Sequence, residues 1–410
     1  MRVLIKPSKE MDSKKGEEAL IERRVIRAPK DFRDFVELEL GDFLDMRTAD
    51  GKVISLAVER AYESDAKEDP LSAYVTSEIY KLLVGDSADE YDVELVNGIT
   101  LGCDPELLLV DRKTADVVNA NYFFKNKWDA VGFDGLMLEL RPMPSTDENV
   151  VAANLWSLIQ RARALIEKKR INLKPNKLYG YTGNPIMITA VSSYRQLTVG
   201  FHLHYGIPKE LLGWPKRYIA NQIVKAMDYY VGVPAIIPER DCDFHRRTVP
   251  YMAYGKPGDY RIDSRTLEYR VAGGSLMRSP ELAQGIMALG AVVMEDIVSR
   301  IKHMSDNFTD LSVMSKDEDI RKIYPNLPPV MTIFSTICSP SISAAMDMFG
   351  SIKKDVEKMV GYQRRAESIN RYFEIVDKNI NFSPDVEENW WRYYNGQRQS
   401  GQVDVLHSSV

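Results

Sequence analysis

The strongest constraint on how this chain folds is the alternation in LTVGFHLHYGIP. His202 and His204 fall on one side of it, and Phe201, Leu203 and Tyr205 on the other. Such a split needs an extended strand, whose successive side chains leave opposite faces, whereas a helix repeats about every 3.6 residues. The chain has five histidines, and two of them stand in this one strand. His-x-His on a strand is a metal-ligand or phosphate-contact geometry. The plainer alternative is a pair of half-buried, hydrogen-bonded histidines.

Three other segments have the same period. In GCDPELLLVD, Asp104 and Glu106 share a strand face. Two carboxylates so close repel unless a cation lies between them, and hard oxygen ligands favour Mg²⁺ or Mn²⁺ over zinc. In VGFDGLMLELRPMP, Glu139 and Arg141 share one face while Leu138 and Leu140 take the other. Glu139 is a candidate metal ligand, and Arg141 its ion-pair partner or a phosphate contact. In YGKPGDYRIDSRTLEYRVAGG, Arg261, Arg265 and Arg270 surround Glu268. An acidic ligand among arginines suits a site holding a metal and a polyphosphate together. Taken singly, each segment also fits a solvated or salt-bridged strand face.

The rest of the sequence organises around these strands. Residues 1–95 read as a small β-rich module, with Asp50-Gly51 as a hairpin turn between FLDMRTA and KVISLAV and a short helix from Ser77 to Leu83. Met1 to Ile5 reads as a strand, Lys9 to Glu18 as a loop, and DFVELELG as part of the β-rich run. Residues 96–305 hold the four motifs, with helices expected over Asn149–Lys169 and from Pro280 to about His303. Residues 306–410 read as a helical extension with a polar tail, in which one long helix from Ile342 to Val376 breaks near Gly350. WWRYY, at 390–394, reads as a packing or interface patch, core packing being the better fit. The class implied is α+β.

Composition narrows the function. A net charge of −5 gives no global argument for nucleic acid or an anionic membrane as partner. Three cysteines without a CxxC argue against disulfides and against a thiolate zinc site. The N-terminus lacks a signal-peptide core, and no run approaches the roughly 20 apolar residues of a membrane helix. A cytoplasmic protein is expected.

The four motifs, in this order, resemble the carboxylate–amine ligases related to glutamine synthetase and glutamate–cysteine ligase, in particular the phage-type amidoligases. The likeness covers about residues 98–300. It implies a curved antiparallel sheet forming one wall of a funnel, with ATP and Mg²⁺ or Mn²⁺ entering at one end and the acceptor at the other. A carboxylate, on a small molecule or a peptide, would become an acyl phosphate that an amine converts to an amide. By that resemblance Glu106 and Glu139 match acidic metal ligands, and Asp104 takes the first position of the acidic strand motif. His202 matches the metal-binding histidine, and His204 the one facing phosphate or substrate. Glu268 matches a metal ligand, Arg270 a phosphate-facing arginine, and Arg261 the arginine preceding it. Arg265 and Arg141 are further candidates for the nucleotide. The family includes rings and monomers, so an oligomer is possible.

There are departures. Asp104 stands where glutamine synthetase has Glu. The second strand motif has one clear Glu where that enzyme has two, with Asp134 a candidate replacement. Tyr251–Asp259 and Gly180–Ser193 are candidate closing loops, and Arg246 and Arg247 read best as a solvated basic turn. The competing functions are a metal-dependent hydrolase or phosphotransferase, and a non-catalytic phage structural or binding protein retaining a ligase fold.

Overall fold

Alternating aliphatic segments form the strands, and most helices bury one apolar stripe, which gives an α+β architecture. The computed structural model describes residues 2–13, 25–36, 38, 40, 43–49, 53–85, 91–96, 98–207, 216–239, 245–248, 254–262, 266–305, 319–338 and 342–399. Contacts divide the chain into two units: Met1–Thr100 with Met143–Val150, and Leu101–Pro142 with Val151–Val410.

In the first unit, β1 (Arg2–Pro7), β2 (Val25–Ala28), β3 (Phe43–Arg47), β4 (Val53–Arg60), β5 (Ala73–Val75) and β6 (Tyr91–Val96) close a barrel in the order β1-β5-β2-β4-β3-β6. Its interior is aliphatic, with Ile5, Leu44, Met46, Ile54, Leu56 and Val58 turned inward at every second position. β3 and β4 pair antiparallel, Met46 opposite Ile54; the expected Asp50-Gly51 turn lies outside the described residues. Two expectations fail here. Lys9–Ser13 is a helix rather than loop, and DFVELELG begins inside the helix Lys30–Phe35. That helix buries Phe32 and carries a Lys30–Asp34 pair one turn apart.

The second unit is built on an antiparallel sheet. Its strands are β7 (Leu101–Asp111), β8 (Val117–Val118), β9 (Val131–Asp134), β10 (Met137–Leu140), β11 (Ile186–Thr189), β14 (Phe201–Gly206), β15 (Tyr260–Ile262) and β16 (Thr266–Tyr269). The order is β15-β16-β14-β7-β10-β9, with β8 and β11 also on β7. Two further strands, β12 (Ser193–Tyr194) and β13 (Leu197–Thr198), pair separately. Phe201, Leu203, Tyr205, Leu267 and Tyr269 are buried on one face. The helix Pro280–Ser305 meets that face, and the Tyr205 hydroxyl donates to the Met287 carbonyl at 3.2 Å. The run Pro280–Ile301 is long and apolar enough to cross a membrane, contrary to the composition reading, but 89% of it is buried inside the protein, as a core helix should be.

An unexpected helix, Lys216–Met227, passes through a π turn, Asp228–Gly232, into Val233–Ile236. The C-terminal helices are Val330–Cys338, Ile342–Val356, Tyr362–Asp377 and Val386–Gln399. The break in the expected long helix falls at 357–361 rather than at Gly350, because Gly361 takes φ +84°, a left-handed conformation that suits glycine. Trp390 is fully buried and donates its indole N–H to the Met277 carbonyl at 2.8 Å, while Trp391 is exposed.

Candidate active site

Strand register assembles the site. β14 against β7 sets His202 opposite Asp104, and β14 against β16 sets His204 opposite Glu268. β15 against β16 sets Arg261 opposite Glu268, and β10 against β7 sets Glu139 opposite Glu106. Residues directly opposite share a face, as do residues two apart in one strand. Arg270 and Arg141 therefore join the same face. Arg265 lies outside the described residues.

Asp104, His204 and Glu268 form the tightest group: one ligand atom from each lies within 4.8 Å of the others. Asp104 Oδ1 is 3.1 Å from His204 Nε2 and 3.1 Å from His202 Nδ1. His202 Nδ1 is also 3.6 Å from Glu268 Oε1. Burial alone would raise the Asp104 carboxyl, but the two histidines outweigh it and hold the group well below the ordinary carboxylate range. Asp104 Oδ1 and Glu268 Oε1 are nonetheless buried without an aligned hydrogen bond. Buried polar atoms are normally satisfied, so two orphaned carboxylate oxygens beside imidazole nitrogens fit a divalent cation. Arg270 Nε lies 3.1 Å from Glu268 Oε1, and the Arg261 guanidinium, more exposed, lies 3.6 Å from it.

Glu106 and Glu139 stand outside this group. Glu106 Oε2 accepts the Gly200 amide at 2.6 Å and the Tyr254 hydroxyl at 3.0 Å. Glu139 pairs with Arg141. Burial, reinforced by Asp104, Glu106 and Asp134 and opposed by Arg141, pushes the Glu139 carboxyl up to about 7. Asp134 is held by Lys127 at 2.5 Å. Beside them Trp128 is 75% exposed, with Lys127 Nζ at 5.2 Å and Arg141 Cζ at 5.6 Å from its ring.

Sequence reasoning missed Tyr254. Its hydroxyl lies 2.6 Å from His202 Nε2, and burial together with Glu106 pushes the phenol well above its ordinary value. Its only sequence signal was an aromatic residue just before the Gly-Lys-Pro-Gly turn of a candidate loop. Arg246 and Arg247 are fully buried, not a solvated turn. The Arg246 guanidinium donates to the carbonyls of Val271 at 3.0 Å, Ala272 at 2.6 Å and Arg270 at 3.1 Å. Arg247 pairs with Glu239. These ties fix the chain that follows β16. Gly180–Ser193, expected as a closing loop, instead contains β11, which is hydrogen-bonded to β7.

The family model of the phage phiEco32-like COOH.NH2 ligases, type 2, matches residues 101–316, just over half of the 410 residues. No curated protein matches the sequence. Among solved structures, the chain is similar to the complex of the prokaryotic ubiquitin-like protein Pup and its ligase PafA, at 10% identity over 75% of this chain and 71% of that one, with a TM-score of 0.43. It is also similar to apo GmaS, at 11% identity over 81% and 80%, with a TM-score of 0.37. A third is a bifunctional glutathione synthetase from Pasteurella multocida, at 11% identity over 69% and 56%, with a TM-score of 0.32.

Proposed function

The chain belongs to the phage phiEco32-like COOH.NH2 ligases of type 2, and on that premise we propose that it uses ATP and Mg²⁺ or Mn²⁺ to join a carboxylate to an amine through an acyl phosphate. The observation that carries the metal and nucleotide part is the convergence of Asp104, His204 and Glu268, with ligand atoms within 4.8 Å of one another. His202 Nδ1 completes the set. A divalent cation there would screen the phosphate charge and polarise the transferred group.

Arg270 and Arg261, at the β15–β16 side, would bind the phosphates, and Arg270 would balance charge developing in transfer. A substrate carboxylate oxygen attacks the γ-phosphorus, the bond to the bridging oxygen breaks and ADP leaves. The amine nitrogen then attacks the acyl carbon, loses a proton and expels phosphate. Glu106 and Glu139 remain proposed metal ligands once the cation competes with their present partners. Arg141 and the exposed Trp128, at the β9–β10 side, suit the carboxylate-bearing substrate.

Calorimetric titration with a non-hydrolysable ATP analogue tests this reading. Binding should need Mg²⁺ and vanish in Glu268→Ala. Binding that ignores both Mg²⁺ and that substitution, or no binding at all, would sink it.

A further inference from the structure

We propose that Tyr254 is a positioning residue for the metal site: its hydroxyl fixes His202 with the ring hydrogen on Nε2, so that Nδ1 is the ligand atom. The proposal rests on the metal-binding reading above. It follows from counting hydrogens along one chain of contacts. Glu106 Oε2 can only accept. It receives the Gly200 N–H at 2.6 Å and faces the Tyr254 oxygen at 3.0 Å, so Tyr254 must donate its single hydrogen there. The reverse arrangement would set two lone pairs against each other. Toward His202 Nε2, at 2.6 Å, the phenol oxygen can then only accept, and Nε2 must carry a hydrogen. An imidazole that ligates a metal is neutral and has one N–H, so in the ligating form Nδ1 is the atom that presents a lone pair. It does so 3.1 Å from Asp104 Oδ1 and 3.6 Å from Glu268 Oε1, two further acceptors without an aligned hydrogen bond. Three lone-pair atoms turned toward one another are what a cation requires.

The surroundings hold this junction in place. The Arg246 and Arg270 guanidinium carbons lie 4.8 and 4.9 Å from the centre of the Tyr254 ring. Arg246 is itself tied to three backbone carbonyls. At Gly200, a Cβ would sit 2.5 Å from both His202 Nε2 and the Tyr254 hydroxyl, so glycine keeps the space open. A metal-bound histidine whose second nitrogen loses its partner typically loses about 10- to 100-fold in metal affinity.

Tyr254→Phe keeps the ring between its arginine neighbours and removes only the oxygen. In metal-free protein with ¹⁵N-labelled histidine, held at a pH where the His202 ring is neutral, NMR should show His202 as the Nε2–H tautomer, with its signals assigned by their loss in His202→Gln. In Tyr254→Phe the population should move toward Nδ1–H, because the Asp104 and Glu268 carboxylates then recruit that hydrogen. Mn²⁺ binding, followed by paramagnetic resonance, should weaken about 10-fold or more. A wild-type tautomer in Tyr254→Phe would overturn the proposal. So would Mn²⁺ affinity that is unchanged, or one that rises, which would make the hydroxyl a competitor for the site. If the wild-type protein bound no Mn²⁺, the ligase reading would fail, and the tautomer comparison would still decide the role of Tyr254.

Discussion

Asp45 in the barrel and Glu268 in the sheet are both largely buried carboxylates, and they are treated in opposite ways. Asp45 accepts from the hydroxyls of Ser55 and Ser145 and from the amide of Thr146. Burial raises its carboxyl and those donors oppose the rise. Asp65, on the helix Glu63–Glu68 of the same unit, takes the Ser8 hydroxyl at 2.7 Å. In the sheet, Asp104 and Glu268 supply the two buried carboxylate oxygens that lack a hydrogen-bond partner among the described residues. A carboxylate satisfied by donors of its own unit fastens that unit together. Glu268 Oε1 has the Arg270 and Arg261 guanidinium groups beside it but no aligned hydrogen bond, and its convergence with Asp104 and His204 suits a cation that arrives from outside.

The comparison breaks most visibly at Glu268. Glu268→Ala should weaken Mn²⁺ binding by more than about 100-fold, beyond the loss of an outer partner. The urea midpoint of the metal-free protein should change little, because Arg270 keeps its ion pair with Asp259 and Arg261 is largely solvated. A collapse of folding instead would make Glu268 a fastener like Asp45. Asp45→Ala should do the reverse, costing about 2 kcal/mol in urea denaturation by stranding its donors and leaving Mn²⁺ affinity as it was.

Asp228 sharpens the contrast through pH. It is fully buried in the π turn and accepts the Tyr269 hydroxyl at 2.9 Å. Burial, opposed by Tyr269 and the Gly258 amide, pushes its carboxyl up to about 8. The folded protein therefore keeps this proton while the unfolded chain releases it above about pH 4. Its contribution to stability is complete below that value and is lost as pH rises toward 8. Asp228→Asn has no charge to bury, so its melting temperature should gain on the wild type steadily between pH 5 and 8. A constant difference across that range would show that Asp228 ionises freely.

The smallest effect is expected at Glu139. With its carboxyl at about 7, a share of molecules is protonated at pH 6.5. If Glu139 ligates the cation, Mg²⁺ binding should then release up to about one proton. Calorimetry in buffers of different ionisation enthalpy measures this. Release that persists in Glu139→Gln would leave Glu139 as no more than the partner of Arg141.

The faces of the site strands were legible in the sequence, because a period of two needs no knowledge of the fold. The pairing of Asp104 with His202 and of Glu268 with His204 was not, since register is decided between segments about 60 to 100 residues apart. The buried arginines were misread for a related reason. Charged side chains are nearly always solvated, and nothing local announces that three carbonyls at 270–272 wait for Arg246. Tyr254 escaped because its partners, Glu106 and His202, lie on other strands. The helix Lys30–Phe35 was lost because it is short and its last two residues, Asp34 and Phe35, open the alternating run DFVELELG.

β7 serves two tasks along one length, presenting Asp104 and Glu106 to the site and Leu107–Val110 to the core, while bonded to β14, β10, β8 and β11. Descendants of this chain could exchange its aliphatic residues for others of similar volume at little cost. They could not gain or lose a single residue beside Asp104 and Glu106, since one step would exchange the face that carries these carboxylates with the one that carries Leu107 and Leu109. Divergence in this lineage should therefore accumulate as substitutions within β7 and as changes of length only in the connections outside the sheet.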